Sequence, residues 1–426
     1  MKNILLILLL VAGLATAAQQ TVTYMQYNLL NYGNFTSYCT SSNNNQDAKD
    51  QYLKTILNHI QPDILAVNEV GRNSANATRL LNQVLNSNTY GVAYKRADIT
   101  NYANSEIINL FFYNQDKLEL ASQSVAQSIL RDINIYTLYA IDEGLKTGDT
   151  TFLTCITGHL KAGSGGSDAQ VRATMTENLM NYLEWNEISG GILFSGDMNV
   201  YSDDETAVTN LVNHPDPLVR FYDPIDKMGD WNNSSYYAGV HTQSTHADYS
   251  GCAASGGLDD RFDFIFINKS INDGLHGVEY VEGSYTAVGN DSNHFNKSIT
   301  DAPTNTSVPA EVLEALYANS DHLPVTLEME ITIESSIHDY QPKYPVLSLV
   351  NPVKENLLLT IYADDTYTID IQLITIQGKQ IIQLSKTILP GETRLTATLP
   401  PLPEGVYVIT SRTSNGKFFS EKIIIQ

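Results

Sequence analysis

Three features are scarce in this 426-residue sequence, and each scarcity narrows the classes of protein that it can be. It has only three cysteines, too few for a small scaffold built on disulfides. It has 25 Lys and Arg against 47 Asp and Glu, which argues against a nucleic-acid binder that works by neutralising phosphates alone. The composition does not exclude an acidic enzyme whose bound divalent cations supply the local positive charge. After the first residues, no apolar run is long enough to span a membrane, so we expect a soluble exported protein.

The first 18 residues have the pattern of a secretory signal peptide. Lys2 precedes an apolar stretch from Ile4 to Leu14, and small residues follow up to Ala18. A membrane anchor is the alternative, but the apolar run is shorter than a membrane-spanning helix needs. The sequence therefore predicts export, with cleavage near the end of this segment.

The acidic charge is confined to one part of the chain. Residues 18–335 contain 16 Lys and Arg against 39 Asp and Glu, a net charge of −23, whereas residues 336–426 contain eight of each sign. At the same point the pattern changes from mixed strands and helices to short strands alone. The sequence therefore predicts a signal peptide (1–18), an α/β domain (19–335), a linker (336–345) and a small all-β sandwich (346–426).

Polar residues that can bind metals or phosphates recur at or near the predicted strand ends. In the segment 192–200, Asp197 and Asn199 follow an apolar strand two residues apart and would point to the same face. Asp263 lies within an otherwise apolar strand, where a carboxylate is costly without a partner. Taken singly, each residue has an ordinary structural explanation. The whole set consists of Asn28, Glu69, His159, Asp197, Asn199, Asp263, Asp321 and His322.

In chain order, these residues lie in motifs that resemble those of the endonuclease/exonuclease/phosphatase superfamily. The motifs are Asn28 after the first strand, Val-Asn-Glu-Val at 67–70, Gly-His-Leu at 158–160, Gly-Asp-Met-Asn at 196–199, Arg-Phe-Asp-Phe-Ile at 261–265 and Ser-Asp-His-Leu-Pro-Val at 320–325. The resemblance covers residues 21–333. It implies a four-layer α/β sandwich that hydrolyses phosphoesters with Mg²⁺, for which Mn²⁺ or Ca²⁺ could substitute.

The resemblance also implies how the metal and one histidine are held. Glu69 would be the principal metal ligand, assisted by Asn28 and Asp321. His322, oriented by Asp263, would be either the general base or an imidazolium that stabilises the phosphate. A carboxylate on the far ring nitrogen sets the tautomer of an imidazole and raises its basicity, which explains why these two residues belong together.

The remaining site residues would act on water and phosphate. By the same resemblance, Asp197 would position or activate the attacking water, and Asn199 would orient the phosphate. His159 would be a second histidine at the phosphate, where it could protonate the leaving group. Arg172, in the helix after the His159 loop, would bind the phosphate, with a solvent-facing helix position as the equal alternative.

The C-terminal residues carry a second resemblance. Asn-Pro-Val-Lys at 351–354, Leu-Pro-Glu-Gly-Val-Tyr at 402–407 and the ending Glu-Lys-Ile-Ile-Ile-Gln are similar to the sorting domain of the Bacteroidetes type IX secretion system. This similarity implies passage across the outer membrane by that machinery, to the cell surface or the medium. A β-sandwich that binds a ligand is the weaker alternative.

Together these patterns predict a secreted, metal-dependent phosphodiesterase, and an endonuclease on DNA or RNA is the first hypothesis. A sphingomyelinase-like lipid phosphodiesterase or a phosphatase of the same superfamily is the alternative, in which Trp231, Tyr236 and Tyr237 could insert into a bilayer. A non-catalytic binding module is the remote alternative. We expect a monomer with nucleic acid as substrate. Whether Cys39 and Cys252 pair is open, because sequence alone does not show their proximity.

Overall fold

The computed structural model of the protein describes residues 18–141, 150–249, 251–333, 346–349, 353–354, 356–363, 366–375, 379–414 and 418–425. Except for Ala18, the predicted signal peptide lies outside these residues, and so does the whole predicted linker. The chain divides into two compact units, Met1–Ser336 and Ile337–Gln426. Within the described residues, no helix combines the length and the apolar character needed to cross a membrane.

The first unit mixes strands and helices along the chain. Its strands are β1 (Ala18–Tyr32), β2 (Ile64–Gly71), β3 (Tyr94–Arg96), β4 (Ile107–Asn114), β5 (Leu118–Gln127), β6 (Ile133–Ala140), β7 (Phe152–His159), β8 (Gly191–Asp197), β9 (Phe221–Tyr222), β10 (Asp263–Asn268), β11 (Val278–Tyr280), β12 (Thr286–Ala287) and β13 (Val325–Ile333). Its α-helices are α1 (Gln46–Ile60), α2 (Ser74–Arg79), α3 (Gly166–Trp185), α4 (Thr206–Val212), α5 (Lys269–Asn272) and α6 (Ala310–Asn319).

Two mixed sheets form the centre of this unit. The first sheet has the strand order β11-β13-β1-β2-β4-β3, with β12 paired to β13, and β1 runs parallel to β2. The second sheet has the order β5-β6-β7-β8-β10-β9, and β7 runs parallel to β8. Each parallel pair therefore ends at one edge of its own sheet, where polar side chains can gather.

Alternation along the strands builds three apolar layers. Phe111 and Leu193 point into the core between the two sheets. Their neighbours point the other way: Phe112 faces the core that includes α1 and α6, and Phe194 faces the core that includes α3 and α4. The order of layers is helices, sheet, sheet, helices, which confirms the predicted four-layer α/β sandwich.

The second unit is built from strands alone in its described residues. They are β14 (Val346–Leu349), β15 (Asn356–Ala363), β16 (Tyr367–Thr375), β17 (Gln380–Ile388), β18 (Gly391–Thr398), β19 (Gly405–Thr413) and β20 (Phe418–Ile425). They form a sheet of order β14-β15-β18 and a sheet of order β17-β16-β19-β20. Leu359, Ile371 and Ile409 lie in one core shared by both sheets. The predicted small all-β unit is confirmed.

The cysteines take two different states in the first unit. Cys39 and Cys252 form a disulfide across a sequence separation of 213 residues. Cys155 is a buried free thiol in β7, and burial raises its pKa well above the ordinary value. The pairing that the sequence left open is therefore formed.

Candidate active site

Strand pairing brings the predicted site residues to one end of the two sheets. Asn28 lies on β1 beside β2, the strand that carries Glu69. His159 at the end of β7 lies opposite Asp197 at the end of β8, and Asp263 at the start of β10 lies on the other side of Asp197. Because parallel strands end at the same edge and β10 begins there, these side chains converge.

A buried carboxylate orients one histidine of the site. His322 Nδ1 donates a hydrogen bond to Asp263 Oδ2 at 2.7 Å, and both side chains are buried. Burial alone would lower the pKa of His322, but the carboxylates of Asp263, Asp197 and Asp321 together raise it well above its ordinary value. Nδ1 therefore keeps its proton, and Nε2 is the ring atom turned towards the other site residues.

Asp197 lies at the centre of the cluster. Its Oδ2 accepts a hydrogen bond from Asn28 Nδ2 at 3.0 Å and lies 3.4 Å from His159 Nε2. Burial raises the pKa of Asp197 to about 7, although the neighbouring His322 opposes the shift. An acid with such a pKa can take up and release a proton near neutral pH, as a group that activates water must.

Asn199 contacts Asp197 through a turn and not along an extended strand. Both its backbone N and its Nδ2 donate to Asp197 Oδ1, at 3.1 Å and 2.7 Å. Asn199 has a φ of 51°, in the left-handed region that asparagine tolerates better than most residues. The predicted proximity of the two side chains is present, but the turn produces it.

The carboxylates and one imidazole form a group that suits a divalent cation. Glu69, His159 and Asp197 each offer a ligand atom within 4.8 Å of the others. Asp321 lines the same cleft, and its buried Oδ1 has no hydrogen-bond partner among the described residues. Carboxylate oxygens with an imidazole nitrogen are ordinary ligands of divalent metals, so the residues present fit the predicted cofactor class.

Asn28 presents its nitrogen to this group. Its Nδ2 lies 3.2 Å from Glu69 Oε1 and 3.4 Å from His322 Nε2, while its Oδ1 accepts from the Leu30 backbone at 2.9 Å. A metal binds the amide oxygen, so a ligand role for Asn28 requires its carboxamide to turn over. The predicted role stays a prediction. In the described orientation, Asn28 donates to the carboxylates.

His159 differs from His322 in its charge. Burial lowers the pKa of His159 well below its ordinary value, and the positive charges of Arg131 and His322 add to the shift. Its Nε2 lies 3.8 Å from Glu69 Oε1, and its buried Nδ1 has no hydrogen-bond partner among the described residues. A neutral imidazole suits a ligand or acceptor better than the proton donor that the resemblance implied.

All three guanidinium nitrogens of Arg172 donate hydrogen bonds to other groups of the protein. Its side chain is 1% exposed. Its Nε and one terminal nitrogen donate to Glu205, each at 2.9 Å, and the other terminal nitrogen donates to the carbonyls of Lys161 and Gly163. These bonds tie α3 to the loop at 161–163, which borders the cleft. The predicted phosphate contact stays a prediction.

Two further residues of the cleft were missed by reasoning from the sequence. Gln243 Nε2 lies 2.7 Å from His322 Nε2 and 3.4 Å from Asp321 Oδ2. Arg131 borders the cleft, donates to the Leu160 carbonyl at 3.0 Å and has a buried Nε without a hydrogen-bond partner among the described residues. Gln243 lies in an irregular loop without a motif. For Arg131 the sequence offered only a weak signal, a single arginine just before a predicted strand.

Two buried asparagines, Asn68 and Asn109, connect the strands that carry the site residues. Asn68 Oδ1 accepts from the backbone N of Asp197 at 3.1 Å, and Asn68 Nδ2 donates to the Gly158 carbonyl at 3.1 Å and to Asn109 Oδ1 at 2.7 Å. These bonds link β2, β4, β7 and β8 across the two sheets. A buried polar network whose members are satisfied fixes the relative positions of the strands, and with them the site residues.

The cluster opens into a cleft of about 380 Å³. Besides the site residues, the cleft is lined by Asn31, Tyr38, Ile107, Arg131, Ala162, Gly163, Tyr201, Gln243 and Phe262. Acidic, basic and aromatic groups thus border one opening that can admit a phosphate together with its neighbouring groups.

Comparisons with known proteins give matches for both units. Residues 350–426 match the family model described as "Secretion system C-terminal sorting domain". No curated protein matches the sequence. One similar solved structure is an endonuclease/exonuclease/phosphatase from Bacteroides vulgatus, with 15% identity and a TM-score of 0.46, covering 73% of this chain and 99% of that chain.

Two other solved structures are similar at comparable levels. TDP2 from D. rerio, complexed with single strand DNA product, is 13% identical with a TM-score of 0.44, covering 72% of this chain and 98% of that chain. A mannosyl-6-phosphatase from Bacteroides thetaiotaomicron is 14% identical with a TM-score of 0.42, covering 72% of this chain and 99% of that chain.

The family model confirms the resemblance predicted for the C-terminal residues, and the solved structures similar to the first unit include a protein described by the name of the predicted superfamily. The match at the C-terminus indicates export to the cell surface or secretion. The chain therefore joins a unit similar to endonuclease/exonuclease/phosphatase proteins to a C-terminal region that matches the secretion system sorting domain.

Proposed function

We propose that this protein is an exported phosphodiesterase that depends on a divalent metal and acts as an endonuclease on DNA or RNA. One observation carries the proposal. The buried pair of Asp263 and His322 faces the same cleft as the group of Glu69, His159 and Asp197. An oriented imidazole beside a possible metal group is the arrangement that phosphoester hydrolysis needs.

Two carboxylates and one imidazole would hold the metal. Glu69 and Asp321 would provide oxygen ligands, and His159, which lies beside Glu69, would add a ring nitrogen. Mg²⁺, with Mn²⁺ or Ca²⁺ as alternatives, would supply positive charge for the phosphoryl oxygens and for the leaving oxygen. The bound cation would thus supply the positive charge that the acidic chain lacks. This explains how a protein of net charge −22 can act on a polyanionic substrate.

The protein's own residues would handle the proton and the phosphate. Asp197, with a pKa near 7, would accept the proton of the attacking water while Asn199 holds its Oδ1. His322, held in its charged form by Asp263, would direct Nε2–H at a phosphoryl oxygen. Arg131, at the border of the cleft, would add a second positive group for the phosphate.

The aromatic residues considered for the lipid alternative do not support it. Trp231 is fully buried, donates from its indole nitrogen to the Val200 carbonyl at 3.0 Å and packs on Phe264. Tyr237 is partly buried and donates to the Met228 carbonyl. Of these three aromatics, Tyr236 alone is exposed, so they do not form a surface that inserts into a bilayer.

A substrate panel tests the proposal. The full-length protein with Mg²⁺ should hydrolyse plasmid DNA or RNA and leave sphingomyelin and inositol phosphates intact. Glu69→Ala and His322→Ala should abolish hydrolysis while the protein stays folded by circular dichroism. His294→Ala is the matched control, because it removes another buried histidine paired with an aspartate, Asp291, outside the site. Full activity of either site variant would overturn the proposal.

A further inference from the structure

The Cys39–Cys252 disulfide joins two loops that are linked to two carboxylates of the candidate metal site. Cys39 lies in the loop between β1 and α1, and Cys252 lies in the loop that leads towards β10. Both cysteines are buried. The disulfide is outside the proposed chemistry, yet one loop is linked to Glu69 through Asn31 and the other to Asp321 through Ala254.

The first loop contacts the residue that holds Glu69. Asn31, the residue before the last of β1, donates its backbone N–H to Glu69 Oε2 at 3.0 Å, and its Nδ2 lies 3.5 Å from Cys39 Sγ. Asn31 has a φ of 52°, in the left-handed region, and Asn44 Nδ2 holds its carbonyl at 3.0 Å. The direction of the bond to Glu69 therefore depends on how this loop is folded over the end of β1.

The second loop holds Asp321. Ala254, two residues after Cys252, donates its backbone N–H to Asp321 Oδ2 at 2.8 Å. The carbonyl of Ala254 accepts from Ser244 Oγ at 2.7 Å, so the peptide on each side of this residue is held. With Oδ2 occupied in this way, Asp321 Oδ1 is left without a hydrogen-bond partner among the described residues, although His322 Nε2 lies 4.0 Å away.

The two loops also pack directly against each other. Gly251 has a φ of 63°, and a Cβ added there would lie 2.9 Å from Asn43 Nδ2. Asn43 in turn donates to the Tyr38 carbonyl at 2.7 Å, next to Cys39. The disulfide is thus the covalent centre of a close loop contact, and among the described residues of these two segments no strand pairs one with the other.

We propose that the Cys39–Cys252 disulfide positions Glu69 and Asp321 for a divalent cation, an inference that rests on the function proposed above. It keeps both loops in the conformation in which two backbone N–H groups, of Asn31 beside the first loop and of Ala254 in the second, orient the two carboxylates. Without the bridge, these polar loops regain conformational freedom, and the orienting bonds are made for less of the time. Loss of groups that orient metal ligands typically weakens metal affinity by about 10–100-fold.

The test measures metal binding separately from catalysis. The full-length double variant Cys39→Ser/Cys252→Ser is titrated with Mn²⁺ by calorimetry, beside the wild type and Cys155→Ala, which changes the buried thiol outside the bridge. The double variant should show an increase of about tenfold or more in the Mn²⁺ dissociation constant, and Cys155→Ala should not. The hydrolysis rate of the double variant should recover at saturating Mg²⁺. A general loss of folded protein would not allow this recovery.

A second variant keeps the inference testable if the double variant fails to fold. Asn44→Ala loosens the first loop while the disulfide stays intact, and it should also weaken Mn²⁺ binding. Mn²⁺ affinity within about twofold of the wild type in each folded variant overturns the positioning role. Glu69→Gln separates the two proposals: if it leaves wild-type Mn²⁺ binding unchanged, the metal site itself is wrong, and with it the proposed function.

Discussion

The buried pair of Asp263 and His322 allows one prediction to be worked through. In Asp263→Asn, the charge that raises the pKa of His322 is gone, and the new amide can donate to Nδ1. Without the carboxylate charge the ring gives up its second proton more readily, and an amide that donates to Nδ1 leaves no place for a proton there. The ring thus loses the positive charge with which it would face the phosphate.

The expected magnitude follows from two estimates that agree. Removing one partner of a buried charge pair costs about 3–5 kcal/mol. At 1.36 kcal/mol per factor of ten, that cost in the transition state corresponds to a loss of about 10²–10⁴-fold in kcat. A positioned acid or base contributes a similar factor, about 10²–10⁴-fold. We expect Asp263→Asn to lower kcat by this factor and to change KM little, because the substrate can still enter the cleft.

Asp223→Asn is the matched control. Asp223 and Arg261 form another buried ion pair, with two bonds of 2.8 Å, and neither residue lines the cleft. The Asp223→Asn substitution should lower the free energy of unfolding in urea but leave kcat near the wild-type value. Wild-type kcat in Asp263→Asn would refute the reasoning. An equal loss of kcat in both variants would show that damage to the fold, and not the imidazole, limits the rate.

Three further predictions concern groups around the site. Arg172→Met should lower the free energy of unfolding in urea by about 3 kcal/mol, because Glu205 loses its partner; higher KM at unchanged stability would instead support a phosphate contact. Burial lowers the pKa of Lys49 from 10.5 to about 7. Between these pH values the unfolded chain binds the extra proton, so stability should rise with pH by up to about 5 kcal/mol, and Lys49→Met should abolish that rise in denaturation curves. Asn68→Leu should lower the free energy of unfolding in urea by about 1–3 kcal/mol, because the backbone N–H of Asp197 loses its acceptor. It should also lower kcat, and an unchanged kcat would contradict the supporting role of Asn68.

Much of the fold could be predicted because its signals are local. The continuous apolar run that contains Phe111 and Phe112 is visible in the sequence, and it is typical of a strand buried on both faces, as the two cores around these residues show. The change to short strands near the C-terminus is also visible in the sequence. The motifs that contain Glu69, Asp197 and His322 are also local. Since strands that pair bring their ends together, these motifs were sufficient to predict one site.

Other features depend on contacts that no local pattern encodes. Gln243 reaches His322 from an irregular loop, and its sequence neighbours give no reason to expect it there. Arg172 has the spacing of a helix residue near the site, but its partner Glu205, 33 residues later, decides that it holds a loop. Turns and loops take their conformation from tertiary packing, so reasoning from spacing fails for them first.

By itself, the sequence determined the order of layers, the acidic character of the first unit and, except for Arg131, the residues that carry the proposed chemistry, because each is written in periodicity, composition or a short motif. The tertiary structure alone decided the pKa of about 7 at Asp197, the direction of the Asn28 carboxamide and the bridge between Cys39 and Cys252, 213 residues apart. Burial and long-range contacts set these properties, and both arise only when distant segments pack together.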